Sequence, residues 1–192
     1  MAQNSEQIKV AANGGLYLAK FDSEPKLPTD VETALDKAFN EVGFASEDGV
    51  TFNKSEEVED VMVWQKQTAA RKLVTKRDFG ASTSLAQWNR DTVALAFGGG
   101  SWSEPKAGVY RFDPPNDYDP LTDWVAVLET IDGERKDRYV IEKCNITGDV
   151  ETQAVRNAAM MLPVALAALT PDGKSKPWYY LSNDDAAYGV GS

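Results

Sequence analysis

Apolar and polar residues alternate over much of this chain, and alternation with a period of two is the pattern of β-strands. The clearest run extends from Leu73 to Leu85, with Phe79 and Ala81 on the same side. It predicts a long strand. Because a glycine inside a strand often marks an irregular pairing, we also expect a bulge near Gly80.

The second half of the chain predicts further strands. Residues 124–131 and 139–146 alternate on either side of Asp132-Gly133, which is a favourable turn sequence. Both faces of this strand pair are largely apolar, so we expect other parts of the chain to cover both. Residues 178–181 are aromatic enough for a closing strand, and a flexible polar tail is expected over about residues 183–192.

The N-terminal segment predicts a β-hairpin. Residues 8–12 alternate, Asn13-Gly14 supplies a turn that tolerates positive φ, and residues 16–18 alternate again. Residues 152–169 leave two structures open. Their alanines favour a helix, whereas Pro163 would break it in the middle, and a period of two over residues 162–168 favours a strand.

Two short helical segments are predicted. The first, a short helix or a helical turn, begins at Thr29 or Asp30 as the N-cap and ends at Gly43. The second follows Asn89, a good N-cap, and Gly98 stands where a C′ glycine is expected. The apolar side chains that should be buried are Val31, Leu35, Ala38 and Phe39 in the first and Val93, Leu95 and Phe97 in the second.

These elements predict a mainly β (α+β) fold for residues 1–192 as a single domain. We expect a β-sandwich or barrel with one flanking α-helix and a long extended loop. The loop is the polar stretch over about residues 47–72, which has few apolar anchors. A segment of this length without a strong pattern is either disordered or functional. We interpret it as a mobile arm that becomes ordered against a neighbouring molecule.

Composition and charge exclude several classes of function. Apolar residues make up 42% of the chain and charged residues 26%, as in soluble globular proteins. The formal net charge is −10, which argues against wrapping nucleic acid. The charge is uneven: residues 1–60 contain 13 acidic and 5 basic side chains, whereas residues 61–92 contain 6 basic and 2 acidic ones. The absence of histidine removes the commonest general base and metal ligand.

No candidate catalytic or cofactor site emerges from the motifs. The acidic loop over residues 113–120 has hard oxygen ligands, but it lacks EF-hand spacing and is more typical of a solvated turn. The glycines at 98–100 follow a helix, whereas a phosphate-binding loop precedes one. Cys144, the only cysteine, is expected to be a small buried apolar residue. We therefore expect no enzyme, no metal and no cofactor, and neither a signal peptide nor a membrane span.

Three stretches resemble siphophage major tail tube proteins, of the lambda-like, Hcp-like tube family. The first runs from Leu27-Pro28-Thr29-Asp30 to Val42-Gly43-Phe44-Ala45-Ser46-Glu47-Asp48-Gly49-Val50-Thr51. The second covers Asp60 to Gln65 and Arg71 to Thr75, like the long arm and returning strand of that family. The third, residues 85–98, is similar to its strand-into-helix element. The resemblance is closest over residues 8–100.

The resemblance implies a structural virion protein that assembles in the host cytoplasm as stacked hexameric rings. Inner strands would line a channel through which phage DNA passes without specific binding. The implied partners are further copies of the chain, the tape measure protein, the tail terminator and the distal tail initiator. The charged arm would contact other subunits, and the candidate contact residues are Glu56, Glu57, Glu59, Asp60, Trp64, Lys66, Arg71 and Lys72.

Two other assignments stay open at the level of sequence. One is the tube protein of a contractile injection system, which shares the assembly logic. The other is a monomeric β-sandwich binding or decoration module, which should gather aromatic residues on one exposed face. The candidates for such a face are Trp102, Tyr110, Trp178 and Tyr179.

Overall fold

The structure, a computed structural model, describes residues 4–189. The strands are β1 (Asn13–Lys20), β2 (Asn40–Glu41), β3 (Ala45–Val61), β4 (Arg71–Leu85), β5 (Ser101–Lys106), β6 (Val109–Asp113), β7 (Asp123–Asp132), β8 (Arg135–Thr147), β9 (Leu162–Ala168) and β10 (Trp178–Ser182). The helices are α1 (Arg90–Ala96) and α2 (Asp185–Tyr188), and single 3-10 turns span Ser5–Gln7 and Phe21–Ser23. The predicted mainly-β class is confirmed.

Most strands belong to one antiparallel sheet. Its order is β2-β1-β7-β8-β9-β4-β3, and β10 also pairs with β8. Strand β8 is long enough to pair with two strands in succession along the same edge. Its residues Asp137–Ile141 pair with β10, and its residues Cys144–Thr147 pair with β9. Strands β5 and β6 form a separate hairpin. The ends of the large sheet are β2 and β3, so strand pairing within residues 4–189 does not close a barrel.

The sheet curls around a core on its concave face. Phe52 lies on the edge strand β3, yet its ring centroid is 4.4 Å from that of Tyr139 on β8, several strands away. Only a strongly curled sheet brings these two rings together. Side chains from β1, β4, β7, β8, β9 and α1 fill this core, and Leu85, Leu162 and Cys144 are its most deeply buried members.

A second core covers the convex face. Val125, Val127 and Val140 point away from the first core and pack under the segment 21–39. The prediction that both faces of the β7–β8 pair are covered is confirmed. The pair itself and its turn are as predicted, with Gly133 at a positive φ.

Of the short helix or helical turn predicted between Thr29 or Asp30 and Gly43, the helix is wrong, because the segment consists of bends and one turn at residues 37–38 and leads into the two-residue strand β2. The Asp30 carboxylate accepts hydrogen bonds from the backbone N–H groups of Glu32 and Thr33 and holds a local turn. The expected apolar side chains are nevertheless directed inward, with Val31 and Phe39 buried and Leu35 and Ala38 partly buried.

Two predictions about glycines are also wrong. Gly14 lies inside β1, opposite Thr130 of β7, and forms no hairpin turn. A side chain there would collide with the Glu129 carbonyl oxygen. Gly80 lies in regular pairing opposite Asn53, and a Cβ atom on it would be 2.8 Å from the Leu166 carbonyl oxygen. Both glycines permit close approach of neighbouring strands.

Other local predictions are confirmed. The Asn89 side chain accepts from the Asp91 and Thr92 backbone N–H groups and completes a capping box, while Gly98 follows α1 with a φ of 74°. Phe97, however, is 42% exposed and is not part of the buried side. Residues 162–168 are a strand, β9, and residues 178–182 form β10.

The predicted flexible tail over about residues 183–192 contains the short helix α2. Asp184 is buried and caps the short helix α2, where its side chain accepts a hydrogen bond from the Ala187 backbone N–H. Residues 190–192 of the predicted tail lie outside the described residues.

Candidate assembly interface

A long β-hairpin projects from the body of the molecule. Gly80 is the last residue at this end of β4 that pairs with β9, so residues 54–79 continue outward as a two-stranded ribbon, which we call the arm. The pairing continues to Val61 opposite Arg71, and residues 62–70 form the tip. The nine residue-to-residue steps from Gly80 to Arg71 correspond to about 30 Å of strand.

The predicted extended loop at about 47–72 is therefore two strands and a tip. One irregularity interrupts the ribbon: Glu57 is opposite Lys76 whereas Val58 is opposite Val74, so Thr75 is a bulged residue. Its hydroxyl donates to the Glu57 carbonyl oxygen at 3.2 Å. The bulge predicted at Gly80 thus occurs five residues earlier along β4.

The candidate contact residues predicted from the sequence lie in three parts of the arm. The acidic ones lie on β3, two basic ones begin β4, and the remaining two are in the tip: Glu56, Glu57, Glu59 and Asp60 on β3, Arg71 and Lys72 on β4, and Trp64 and Lys66 in the tip. The hairpin brings the acidic and basic strands side by side. Trp64 is 98% exposed and contacts no core.

Some of the arm's charges pair within the hairpin. Lys72 Nζ is 2.8 Å from Asp60 Oδ1, and Arg77 Nε is 3.2 Å from Glu56 Oε1. The hydrogen bond from Lys54 is the main cause of the lowered pKa of the Glu56 carboxyl. All of these side chains are substantially exposed, so each pair contributes little to the stability of the fold.

Other charges of the arm have no ion pair among residues 4–189: Glu57, Glu59, Lys66 and Arg71. The ribbon also exposes an apolar set at its outer end: Val58, Val61, Met62, Val63, Trp64, Leu73 and Val74. A lone two-stranded ribbon is marginally stable in water, and a cluster of exposed apolar side chains marks an interaction surface. The arm therefore has the properties of a contact element.

Sequence reasoning missed a polar cluster that joins the two ends of the chain, which we call the terminal clasp (Lys9, Asp137, Tyr180 and Asp184). Lys9 Nζ is 2.8 Å from both Asp137 carboxylate oxygens and 2.7 Å from the Tyr180 hydroxyl. The Tyr180 hydroxyl also donates to Asp137 at 2.5 Å. Buried Asp184 lies 3.7 Å from the same ammonium group. No local motif indicates this cluster, because its members are far apart in sequence.

The clasp shifts the titration of its members. Burial by itself would raise the pKa of Asp137, but hydrogen bonds from Lys9, Ser182 and Tyr180 outweigh burial and hold that pKa below its usual value. Burial likewise opposes the charge on Lys9, and its hydrogen bonds to Asp137 and Tyr180 raise the pKa of Lys9 despite burial. The cluster is thus held as an ammonium–carboxylate pair at neutral pH.

We expect acid to weaken the fold through Asp137. Because the folded-state pKa of Asp137 is depressed, its contribution to stability is complete above the unfolded pKa of about 4 and is lost as pH falls through the folded value. Urea unfolding of the wild type and Asp137→Asn at several pH values between 6 and 2.5 measures this. The wild type should lose stability more steeply below pH 4. Parallel curves for the two proteins would contradict the assignment.

The other candidate chemistries receive no support from the geometry. In the acidic loop, the Asp119 carboxylate accepts from the Asn116 backbone N–H and closes a turn. Within residues 4–189, no group of three or more potential ligand side chains could hold a metal ion. Cys144 is fully buried, and burial raises the pKa of its thiol to about 12, which disfavours the reactive thiolate.

The aromatic face expected of a binding module is not assembled. Trp178 and Trp102 pack against the concave core and Tyr179 against the convex one, and only Tyr110 is largely exposed. No helix in the described part of the chain has the length and apolar character needed to cross a membrane.

Comparison with known proteins agrees with the resemblance. A family model described as "Phage tail tube protein" matches residues 1–190, which is nearly the whole chain. No curated protein matches the sequence.

Proposed function

This chain belongs to the phage tail tube protein family, and we propose that its copies close into hexameric rings that stack into the tube through which the phage genome passes. Its place as a structural component of a phage tail follows from the family. The ring symmetry, the stacking and the passage of DNA are the proposal. The observation that carries it is the arm, an exposed and apolar-tipped ribbon whose two strands pair only with each other beyond Gly80 and whose base is held to the body by Phe79 stacked on Trp178.

The sheet edges support ring formation. At one end of the sheet β3 is an edge strand of 17 residues, and at the other end β2 pairs with β1 only at Tyr17 and Leu18. Exposed edges of this length invite pairing with another chain. Because the two edges differ, the β3 edge of one subunit would pair with the β2 edge of the next subunit. Such head-to-tail contacts generate rings.

The net charge supports a role as a conduit for DNA. Each copy has a formal charge of −10, so a ring of copies is strongly negative. A negative channel wall would repel phosphates and let DNA slide without binding. The proposed partners are the tape measure protein inside the tube, the tail terminator and the distal tail initiator, with assembly in the host cytoplasm. The tube of a contractile injection system would use the same contacts.

The proposal predicts self-assembly of the purified protein. Concentrated protein mixed with its tail initiator should form tubes that are visible by negative-stain electron microscopy and elute in the void volume of a size-exclusion column. A solution that keeps only monomers under these conditions would contradict the proposal and favour a monomeric decoration module.

A further inference from the structure

A groove separates the two ends of the curled sheet. It has a volume of about 550 Å³ and is bounded by β1 and β7 on one side and by the start of β3 on the other. Leu16, Leu85 and Leu128 form a buried apolar floor, and Phe52 forms part of one wall. Phe44 stands at the rim with 79% of its surface exposed. We call this cavity the sheet-end groove.

The rim of the sheet-end groove is acidic. Its charged lining consists of Glu41, Glu129, Asp132 and the ion-paired Lys9 and Asp137. Glu129 pairs with Arg138, so Glu41 and Asp132 are the acids of this lining that have no ion pair within residues 4–189. Asp132 accepts a hydrogen bond from the Val10 backbone N–H at 3.2 Å. An occupant of this groove therefore needs an apolar centre and positive charge on its flanks.

The tip of the arm has this chemistry. The tip and the first residue of β4, residues 62–71, contain two basic side chains, Lys66 and Arg71, and no acidic ones. Met62, Val63 and Trp64 expose apolar surface beside them. Tryptophan is one of the residues enriched at the energetic centres of protein interfaces, and the positive charges around Trp64 favour an acidic rim.

A subunit does not reach its own groove with its own tip. Phe52 in the groove wall stands at the base of the arm, and nine strand steps of antiparallel pairing, interrupted by the bulge at Thr75, separate it from Val61, the last residue before the tip. These steps correspond to about 30 Å, and a paired ribbon does not fold back on itself. The occupant is therefore a second copy.

We infer that the tip of one subunit's arm docks in the sheet-end groove of the next copy, with Trp64 against Phe44 and the floor leucines, and Lys66 near Glu41. This inference rests on the proposed tube function and identifies the surface to which the tip of the arm binds. Because the two surfaces differ, the contact is heterologous, and a heterologous contact between subunits of successive rings extends a tube ring by ring.

Two single variants test the inference by complementation. Trp64→Ala removes the anchor and leaves the groove intact, whereas Phe44→Glu places a charge in the groove and leaves the tip intact. Each should raise the protein concentration needed for assembly roughly tenfold or more, since loss of an aromatic anchor has effects of this size. Both side chains are highly exposed, so circular dichroism and thermal unfolding should match the wild type.

Mixing the two variants gives the sharper result. One good tip and one good groove remain in the mixture, so sedimentation velocity should show a capped 1:1 complex that neither variant forms alone. Pairing of opposite charges supplies an independent test: Lys66→Glu should weaken assembly, and adding Glu41→Lys should restore it. Lys106→Glu, an exposed charge reversal on the separate β5–β6 hairpin, is the matched control.

The outcomes separate the two proposals. Wild-type tubes together with no 1:1 complex in the mixture would overturn the docking site and leave the tube function standing. A 1:1 complex in the mixture of variants, together with a wild type that forms no tubes, would support the docking site and contradict the tube function. If Phe44→Glu alone assembled at the wild-type protein concentration, the groove would be excluded as the binding site of the tip.

Discussion

Replacing residues 56–77 with Asn-Gly should give a folded subunit that forms no tubes. The replaced residues are mostly exposed and pair with each other, so their loss removes little of either core. The shortened strands still end in the pair Ser55–Asp78, and Asn-Gly closes a two-residue hairpin turn there. Electron microscopy and size-exclusion chromatography in the presence of the tail initiator measure assembly, while thermal unfolding measures the fold.

The arm-less protein needs a control that alters the same surface without removing it. Lys66→Arg keeps the charge of the tip and should form tubes at the wild-type concentration. Normal tubes from the arm-less protein would remove the arm from the mechanism of assembly. A subunit that unfolds when the arm is removed would show instead that the arm belongs to the folding core, which its exposure argues against.

Arg138→Met should lower the free energy of unfolding by about 3–5 kcal/mol, the usual result of breaking a buried ion pair by removing one partner. The Arg138 side chain is 6% exposed and its Nε lies 2.6 Å from Glu129 Oε1. Its guanidinium also donates to the carbonyl oxygens of Asp30 and Thr33 at 2.7 and 2.8 Å. This one side chain ties the irregular segment 21–39 to the sheet, where the segment covers the convex core.

Chemical denaturation of Arg138→Met and of a matched control tests the role of burial. Arg111→Met removes the same type of side chain from an exposed pair with Asp113 and should change stability by less than about 1 kcal/mol. Equal losses in the two variants would contradict the role assigned to Arg138. Because residues 21–39 do not form the arm, tubes of Arg138→Met should still assemble at temperatures where the subunit is folded.

The predictions that succeeded rest on interactions between near neighbours in sequence. Asn89 caps α1 through backbone groups two and three residues away, and Gly133 turns β7 into β8 over two residues. The alternation in those strands is strong because one or both of their faces are buried. Short-range interactions of this kind can be predicted from the sequence, and they are present in the folded protein.

The predictions that failed concern positions whose conformation depends on distant partners. Gly14 has the sequence of a turn but lies in a strand, because it must let β1 approach the backbone of β7. The segment after Asp30 has helical spacing, yet its apolar side chains are held against the sheet by bends and by Arg138. In each case a contact more than a hundred residues away outweighs the local preference.

The arm shows why part of the candidate interface could be predicted and part could not. Its charged residues, Trp64 and its position in the chain were evident from the sequence. The returning strand was also predicted, from the alternation over Leu73 to Leu85. The strand structure of residues 54–61 was not, because both faces of that part of the ribbon are exposed and carry no apolar alternation. The sheet-end groove was beyond sequence reasoning, since its walls come from β1, β3 and β7.

Composition, short-range pattern and the order of motifs were sufficient to predict the mainly-β class, the paired strands of the second half, the capped helix and the family. The curl of the sheet, the residues that cover its convex face, the closure of the clasp by Lys9 and the position of the groove relative to the arm became known from the three-dimensional structure alone. These features arise where segments distant in sequence share one burial environment, and a linear pattern does not specify which distant segments meet.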